Sequence, residues 1–363
     1  MKNPKLSVLV PVCNVEKYLD QCLTSIVNQT FTDMEIIVIN DGSTDNSLDI
    51  IKKFAVQDKR IRIIDKPNEG YGKSMNRGLD AARGKYIGIV ESDDWIDPDM
   101  YETLVTIAEK NDLDVVKSDY FIYTTTGGDK SIKKNELRGQ KCHEVFLPRK
   151  NIGVFFVTPS IWSAIYKREF LNKNQIRFVE SPGASYQDTA FNFKVWFMAD
   201  RAMLLDKAFL HYRCDNMNAS VKSTGKVFCV ADEWHDAENY LRERGLLTQN
   251  AEKLLARIKF NSYTWNLDRL TGDGHEQFLK LFRQEFLSYK DRKILDCQCF
   301  DYKYWNKLMR VLYPNSLAVR IRKAFFDLIR PIYLMRIQGN WRVHYLFGKI
   351  KIRQTHIPDF NLF

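Results

Sequence analysis

The chain has 363 residues, 45% of them hydrophobic, and a formal net charge of +10. That length holds one large globular domain or two ordinary ones. No apolar run reaches the roughly 18 residues of a spanning helix, and the opening Met1–Lys5 leads straight into an apolar stretch too short for a signal peptide. The seven cysteines are scattered and form no CxxC pair, so a zinc or disulfide framework is excluded and a reducing cytoplasm is the expected setting.

Taken in order, the first 120 residues alternate between strand-like and helix-like segments. Leu6–Val12 is apolar and β-branched, and Glu16–Val27 repeats apolar residues at helical spacing (Leu19, Cys22, Leu23, Ile26). Glu35–Ile39 reads as a second strand. Ser43, Thr44 and Asp45 offer an N-cap to a helix running through Ile50, Ile51 and Phe54. Ile61–Ile64, Lys85–Val90 and a short Asp114–Val116 read as further strands, with helices over Lys73–Ala82 and Pro98–Lys110. This rhythm predicts a mostly parallel sheet flanked by helices. Residues 125–145 read as a polar connection. Ile161–Tyr166, Asp188–Met198 and Ala202–Tyr212 are compact elements, and Phe228–Arg244 and Ala251–Leu267 begin a helical region.

The densest chemical signal is Glu91-Ser92-Asp93-Asp94 at the end of the apolar strand Tyr86–Val90. Three carboxylates at the end of a buried strand repel one another, and each costs several kcal/mol near a core unless something compensates. A hard divalent cation, Mg²⁺ or Mn²⁺, is the usual compensation, and ligands of open α/β sheets bind at the carboxyl ends of strands. A phosphorylated substrate is the natural companion of such an ion. This reading gives Asp93 to the metal, Glu91 to a ribose or the metal shell, and Asp94 either to a supporting position behind them or to the substrate; a capped turn is the plainer alternative. Asp41, in Asn40-Asp41-Gly42-Ser43-Thr44-Asp45, ends another strand and fits either a turn or a base-and-ribose contact. Asp188 opens a helix and fits an N-cap or a general base. His211 fits a structural role or a place in the metal shell, and Arg213 can pair with phosphate.

These segments together resemble the family 2 glycosyltransferases, inverting enzymes of the GT-A fold. Ser7–Asn14 (SVLVPVCN) with Tyr18-Leu19 is similar to the family's opening strand and helix. Ser25–Thr30 is similar to its helix end, and Glu35–Ser47 (EIIVINDGSTDNS) to its nucleotide-binding turn. Asn68-Glu69-Gly70 with Asn76-Arg77-Gly78 resembles its phosphate-side segment, and Gly84–Asp97 (GKYIGIVESDDWID) its metal-binding strand end. Gln187-Asp188 resembles the later acidic pair whose second member is the base, and His211-Tyr212-Arg213 with Ser220 the closing segment. Three positions depart from the family pattern: Glu91 for an aspartate, Gln187 for a glutamate, and Ser74-Met75-Asn76 for Ala-Arg-Asn, where Lys73 or Arg77 would supply the missing charge.

The resemblance implies a nucleotide-sugar site built from Pro11, Val12, Asn14, Asp41, Asn68, Gly70, Lys73, Asn76, Glu91, Ser92, Asp94 and Arg213. It further implies a divalent metal (Mn²⁺ or Mg²⁺) on Asp93 and His211, with Asp188 as the base. The implied reaction moves a hexose from a UDP-sugar to a hydroxyl of a polysaccharide or lipid-linked oligosaccharide. Residues 1–225 would be the GT-A domain, with a donor half to about 120 and an acceptor half after it; 226–363 would be helical. A sugar-1-phosphate nucleotidyltransferase would want a glycine- and arginine-rich loop after the first strand, and Pro11-Val12-Cys13-Asn14-Val15 is not one. An inactive transferase fold serving as a membrane or partner-binding module is the rival from another class.

The charge is concentrated at the far end. From Asp301 to Phe363 twelve lysines and arginines face three aspartates, +9 of the net +10. On a helical wheel over Ser316–Ile337, Leu317, Ile321, Phe325, Leu328, Ile332 and Met335 share one sector and Arg320, Lys323, Asp327 and Arg330 lie opposite, with Pro331 a kink or an end. Such a basic amphipathic end fits packing on the catalytic domain or an anionic membrane surface on the inner face of the cell membrane. No nucleic-acid module accompanies the charge, so no nucleic acid is expected.

Overall fold

The computed structural model describes residues 3–126, 128–184, 186–216, 226–295, 300, 302–314, 316–317, 333–338, 341–346 and 350–356. These divide into two units, one of residues 1–148 and 157–223, the other of 149–156 and 224–363.

The first unit opens with the expected alternation. Strands β1 (Leu6–Val12), β2 (Met34–Asp41), β3 (Ile61–Lys66) and β4 (Tyr86–Ile89) alternate with helices α1 (Glu16–Val27), α2 (Ser47–Gln57) and α3 (Tyr71–Ala81). Every residue of β1 and β2 is buried, as a parallel strand covered on both faces requires. α1 turns Leu19, Cys22, Leu23 and Ile26 inward, the spacing seen in the sequence. After β5 (Trp95–Ile96) and α4 (Met100–Asn111) the chain enters β6 (Val115–Thr124), ten residues where the sequence suggested three. The polar stretch after it holds β7 (Lys130–Lys134), paired antiparallel with β6. Then follow β8 (Ala164–Lys167), α5 (Arg168–Lys173), α6 (Asp188–Met198) and β9 (Ala202–Arg213).

The strand order is β3-β2-β1-β4-β8-β6-β9-β5, with β7 beside β6. β1–β2, β2–β3, β1–β4 and β6–β9 are parallel, whereas β4–β8, β6–β8, β5–β9 and β6–β7 are antiparallel. The sheet is mostly parallel, as expected, but not purely so: antiparallel partners join it beyond β4. The βα rhythm stops at β6, and β8 returns after an excursion with no crossover helix to enforce a parallel entry.

Two glycines let the segment of residues 179–183 pack against the start of α3. Gly70 caps the helix at φ 96°, a backbone state that favours glycine. A Cβ on Gly72 would stand 1.9 Å from the Val179 carbonyl oxygen.

The second unit is helical over α7 (Cys229–Glu243), α8 (Gln249–Arg269), α9 (Gly272–Asp291) and α10 (Tyr302–Leu312). Phe260, Tyr263, Phe278, Phe282 and Phe286 form its aromatic core. Its described end is not helical: β10 (Tyr333–Gln338), β11 (Trp341–Leu346) and β12 (Ile350–His356) form an antiparallel sheet. Of the expected helix over Ser316–Ile337, residues 318–332 lie outside the described residues, and Tyr333–Ile337 is strand. After Pro331 the chain is free of the helical register, and Gly339-Asn340 between two such segments is a hairpin signal. No described helix is long and apolar enough to cross a membrane.

Candidate functional site

A pocket of about 370 Å³ opens at the carboxyl ends of β1, β2 and β4. Those strands deliver Pro11 and Val12, Asp41, and Glu91 to Asp93 to its wall; the approach to α3 adds Asn68 and Tyr71. The other side comes from distant segments: Ile161 and Trp162 before β8, Tyr186 to Asp188 at the start of α6, and Tyr212 and Asn216 at the end of β9. Among the described residues that line it there are four carboxylates and no lysine, arginine or histidine.

Asp41 is buried and already heavily engaged. Its carboxylate pairs with buried Lys66 and accepts the backbone N–H groups of Glu69 (2.8 Å) and Gly70 (3.0 Å). The aspartate thus shapes the Asn68–Gly70 loop while facing the pocket. Glu91 accepts a 2.7 Å hydrogen bond from the Tyr71 hydroxyl. Burial pushes its carboxyl up to about 8, the charges of Asp93 and Asp188 add to that, and the Tyr71 bond opposes it. Asp93 accepts from the Asn216 side-chain amide at 2.7 Å. Asp94 lies behind, 1% exposed. Its Oδ1 accepts the Arg213 N–H at 2.8 Å, while its buried Oδ2 has no partner among the described residues. Burial, reinforced by Asp93, holds that carboxyl well above the usual range. Asp188 begins α6; burial raises it to about 6, against the hydrogen bonds of Thr189 and the charge of Lys117. The residue two before it, Tyr186, has φ 63°, a costly backbone state of the kind that collects at functional sites.

Other expected residues have different settings. Arg213 does not line the pocket. Its guanidinium sits among the rings of Tyr18, Trp95 and Tyr123, at 4.7, 4.9 and 5.0 Å, and donates to the Asp93 carbonyl and to Gln21. It clamps the carboxylate turn from behind. His211 is not brought to Asp93. It stacks between Trp95 and Phe121, with Nε2 3.0 Å from Asp97 and Nδ1 2.7 Å from Ser131. Asn76 is buried and staples the neighbouring segment through Phe178 and Glu180. Asn14, at φ 54°, holds the Ser43-Thr44 turn. Lys73 is on α3 outside the lining, and Arg77 pairs with Glu69. Gln187 braces the Ser181–Gly183 turn. Gly70 packs against that same turn, and buried Ser92 lines the pocket.

Sequence reasoning missed Tyr71, Trp162, Tyr212 and Asn216. Tyr71 had a signal in its place directly after Asn68-Glu69-Gly70. Tyr212 stood inside the His211-Tyr212-Arg213 segment without a role. Trp162 and Asn216 are single residues brought in from distant segments, and no local pattern marks them. Among the described residues no three His, Cys, Asp or Glu side chains are already gathered as a metal shell. The donor chemistry does fit a hard divalent ion: oxygen ligands only, an excess of negative charge, and carboxyls raised by burial and mutual repulsion.

Residues 7–175 match the family model described as glycosyl transferase family 2. EpsH of Bacillus subtilis (strain 168), named as a glycosyltransferase, is 33% identical over 288 residues, 78% of this chain and 82% of EpsH. The uncharacterized glycosyltransferase YibD of Escherichia coli (strain K12) is 36% identical over 220 residues; the match takes in 60% of this chain and only 63% of YibD. Among solved structures, S. aureus TarS 1–349 in complex with UDP-GlcNAc superposes with a TM-score of 0.65 at 19% identity, over 92% of this chain and 94% of that one. At that identity the likeness is one of fold.

Proposed function

This chain belongs to glycosyl transferase family 2, and on that premise we propose that it moves a hexose from a UDP-sugar to a hydroxyl of a polysaccharide or lipid-linked glycan, with inversion and with a divalent ion. The observation that carries the reading is the pocket itself: four carboxylates and no basic side chain among the described lining residues, at the carboxyl ends of the parallel strands. A diphosphate would be repelled from such a wall unless a cation came with it.

Asp93, with Glu91 beside it, is the group that would hold a Mn²⁺ or Mg²⁺ ion, which when bound supplies Lewis-acid neutralisation of the leaving diphosphate. The remaining work falls to the chain's own residues. Asp41, fixed by Lys66 and two backbone N–H groups, has acceptor capacity left for the base or ribose. Asn216 and Arg213 hold the Asp93 turn in place. Asp188 takes the proton from the acceptor hydroxyl as that oxygen attacks the anomeric carbon. The TarS complex with UDP-GlcNAc supports a UDP-linked donor. Contact of the basic C-terminal end with an anionic membrane face fits an acceptor carried on lipid.

The test is nucleotide release from a panel of UDP- and GDP-sugars, with Mn²⁺ or EDTA, for wild type and Asp188→Asn. Release from one UDP-sugar, lost with EDTA and with the substitution, is the expected result. UDP binding without release on any donor and acceptor would favour an inactive binding module, and no UDP binding would overturn the transferase reading.

A further inference from the structure

We propose that the acceptor residue carrying the attacking hydroxyl is an uncharged sugar, received on the Asp188 side of the pocket against Trp162 and Tyr212. The proposal rests on the transferase reading, with Asp188 as the base, and adds the class of acceptor.

The first observation is an aromatic wall beside Asp188. Trp162 stands on the turn before β8 and Tyr212 near the end of β9, with ring centroids 5.3 Å apart and planes within 6°. Tyr120 meets Trp162 edge-on at 4.7 Å. The three rings lock one another, so the wall is set before a ligand arrives. Trp162 is 9% exposed and Tyr212 half-buried, and both line the pocket, so Trp162 mainly backs the wall. A pyranose has an apolar C–H face that an aromatic lining receives, while its hydroxyls need neutral partners. Asn216 and Tyr186 line the same pocket.

The second observation is charge. No lysine, arginine or histidine is among the described lining residues. The cation whose charge does reach Asp188 is Lys117, but its ammonium is buried beneath the wall. Its hydrogen bonds go to the Ser160 carbonyl and hydroxyl, both at 2.6 Å, and to the Ser163 hydroxyl at 2.9 Å. Those bonds build the turn that carries Trp162 and leave no donor for a ligand. A carboxylate or phosphate on the acceptor residue would therefore stand near the Asp188 carboxylate with no counter-charge from the described lining residues on that side, away from the Asp93 turn that would hold the divalent ion. The pocket selects by repulsion as well as by contact.

Ligand-observed saturation-transfer NMR on the full chain, with UDP and Mg²⁺ present, tests this with matched probes. The pairs are methyl β-D-glucoside against methyl β-D-glucuronide, and methyl β-D-galactoside against its uronide; UDP affinity is measured alongside by calorimetry. The expected result is binding of a neutral member and at least about tenfold weaker binding of its acid. Asp188→Asn should narrow that gap, and Trp162→Phe, checked for an unchanged melting temperature, should weaken the neutral glycosides several-fold. Equal or tighter binding of the uronides would overturn the proposal, as would a UDP-loaded protein that binds none of the four. Loss of UDP binding as well would overturn the nucleotide-sugar reading with it.

Discussion

Replacing Asp188 with asparagine should move activity and stability in opposite directions. Burial raises the Asp188 carboxyl from 3.8 to about 6. A raised acid binds its proton more tightly in the folded state than in the unfolded one. Folded-state stability therefore falls as pH climbs from about 4 through about 6, and stays lowered above that. A shift of about two units corresponds to roughly 3 kcal/mol of cost at neutral pH. Asparagine removes the charge but replaces one acceptor oxygen with a donor, so part of the hydrogen bonding from Thr189 is lost. A gain on the order of 2 kcal/mol remains, or about 5 °C in melting temperature for a unit of this size. Transfer should meanwhile fall by about 10² to 10⁴, the usual loss on removing a general base. Calorimetric melting at pH 7 and nucleotide release with an acceptor present read the two effects separately. In the wild type kcat/KM should rise with pH through about 6 to a plateau, because only the ionised carboxylate accepts a proton. An Asp188→Asn variant that keeps more than a tenth of wild-type transfer, or that melts lower at pH 7, would refute the assignment.

Arg213→Met should loosen the carboxylate turn and reduce Mn²⁺-dependent UDP binding at least tenfold by calorimetry. Arg213→Lys should not rescue it, because a lysine cannot span the Asp93 carbonyl and Gln21 while stacking on three rings. Gly72→Ala should cost about 2 kcal/mol or more in chemical denaturation, since its methyl would have to displace the Val179 backbone. In the helical unit, Glu285 is held down at about 2; burial works against this, and hydrogen bonds and charge from His235 and Lys259 outweigh it. That stability is fully present above about 4.5 and is lost as pH falls toward 2. Glu285→Gln should therefore lower the unit's stability by about 3 kcal/mol at pH 7 and flatten the acid limb of its pH–stability curve, measured by urea titration.

The donor-side elements were legible because their logic is local. The strand ends that deliver Asp41 and Glu91–Asp93 follow from apolar runs closed by turn residues. The helix after Ser43 to Asp45 was legible too, although its N-cap is Asn46, with Asp45 accepting the Ser47 N–H. The setting of Arg213 was not legible, for the opposite reason. A guanidinium near phosphate chemistry reads as a phosphate ligand, but its destination depends on Tyr18, Trp95 and Tyr123, contributed by three elements far apart in sequence. His211 met the same fate through Trp95, Phe121 and Asp97. The antiparallel part of the sheet was hidden because β8 is only four residues long and its antiparallel entry is decided by its neighbours. The strands at the far end were masked by apolar residues that fit a helical wheel equally well until Pro331 breaks the register.

The position of β9 bears on biosynthesis. It is the last strand of its unit in the chain, yet it lies between β6 and β5 and pairs with both. Until Ala202–Arg213 has left the ribosome, one side of β6 has no partner in this sheet, and such an edge invites pairing with other chains. The clamp on Asp93 and the ring of Tyr212 arrive with the same segment. A nascent or truncated chain ending before Arg213 would thus be both inactive and prone to aggregate. Synthesis delivers the means of closing the sheet and of finishing the pocket in one stretch of about a dozen residues.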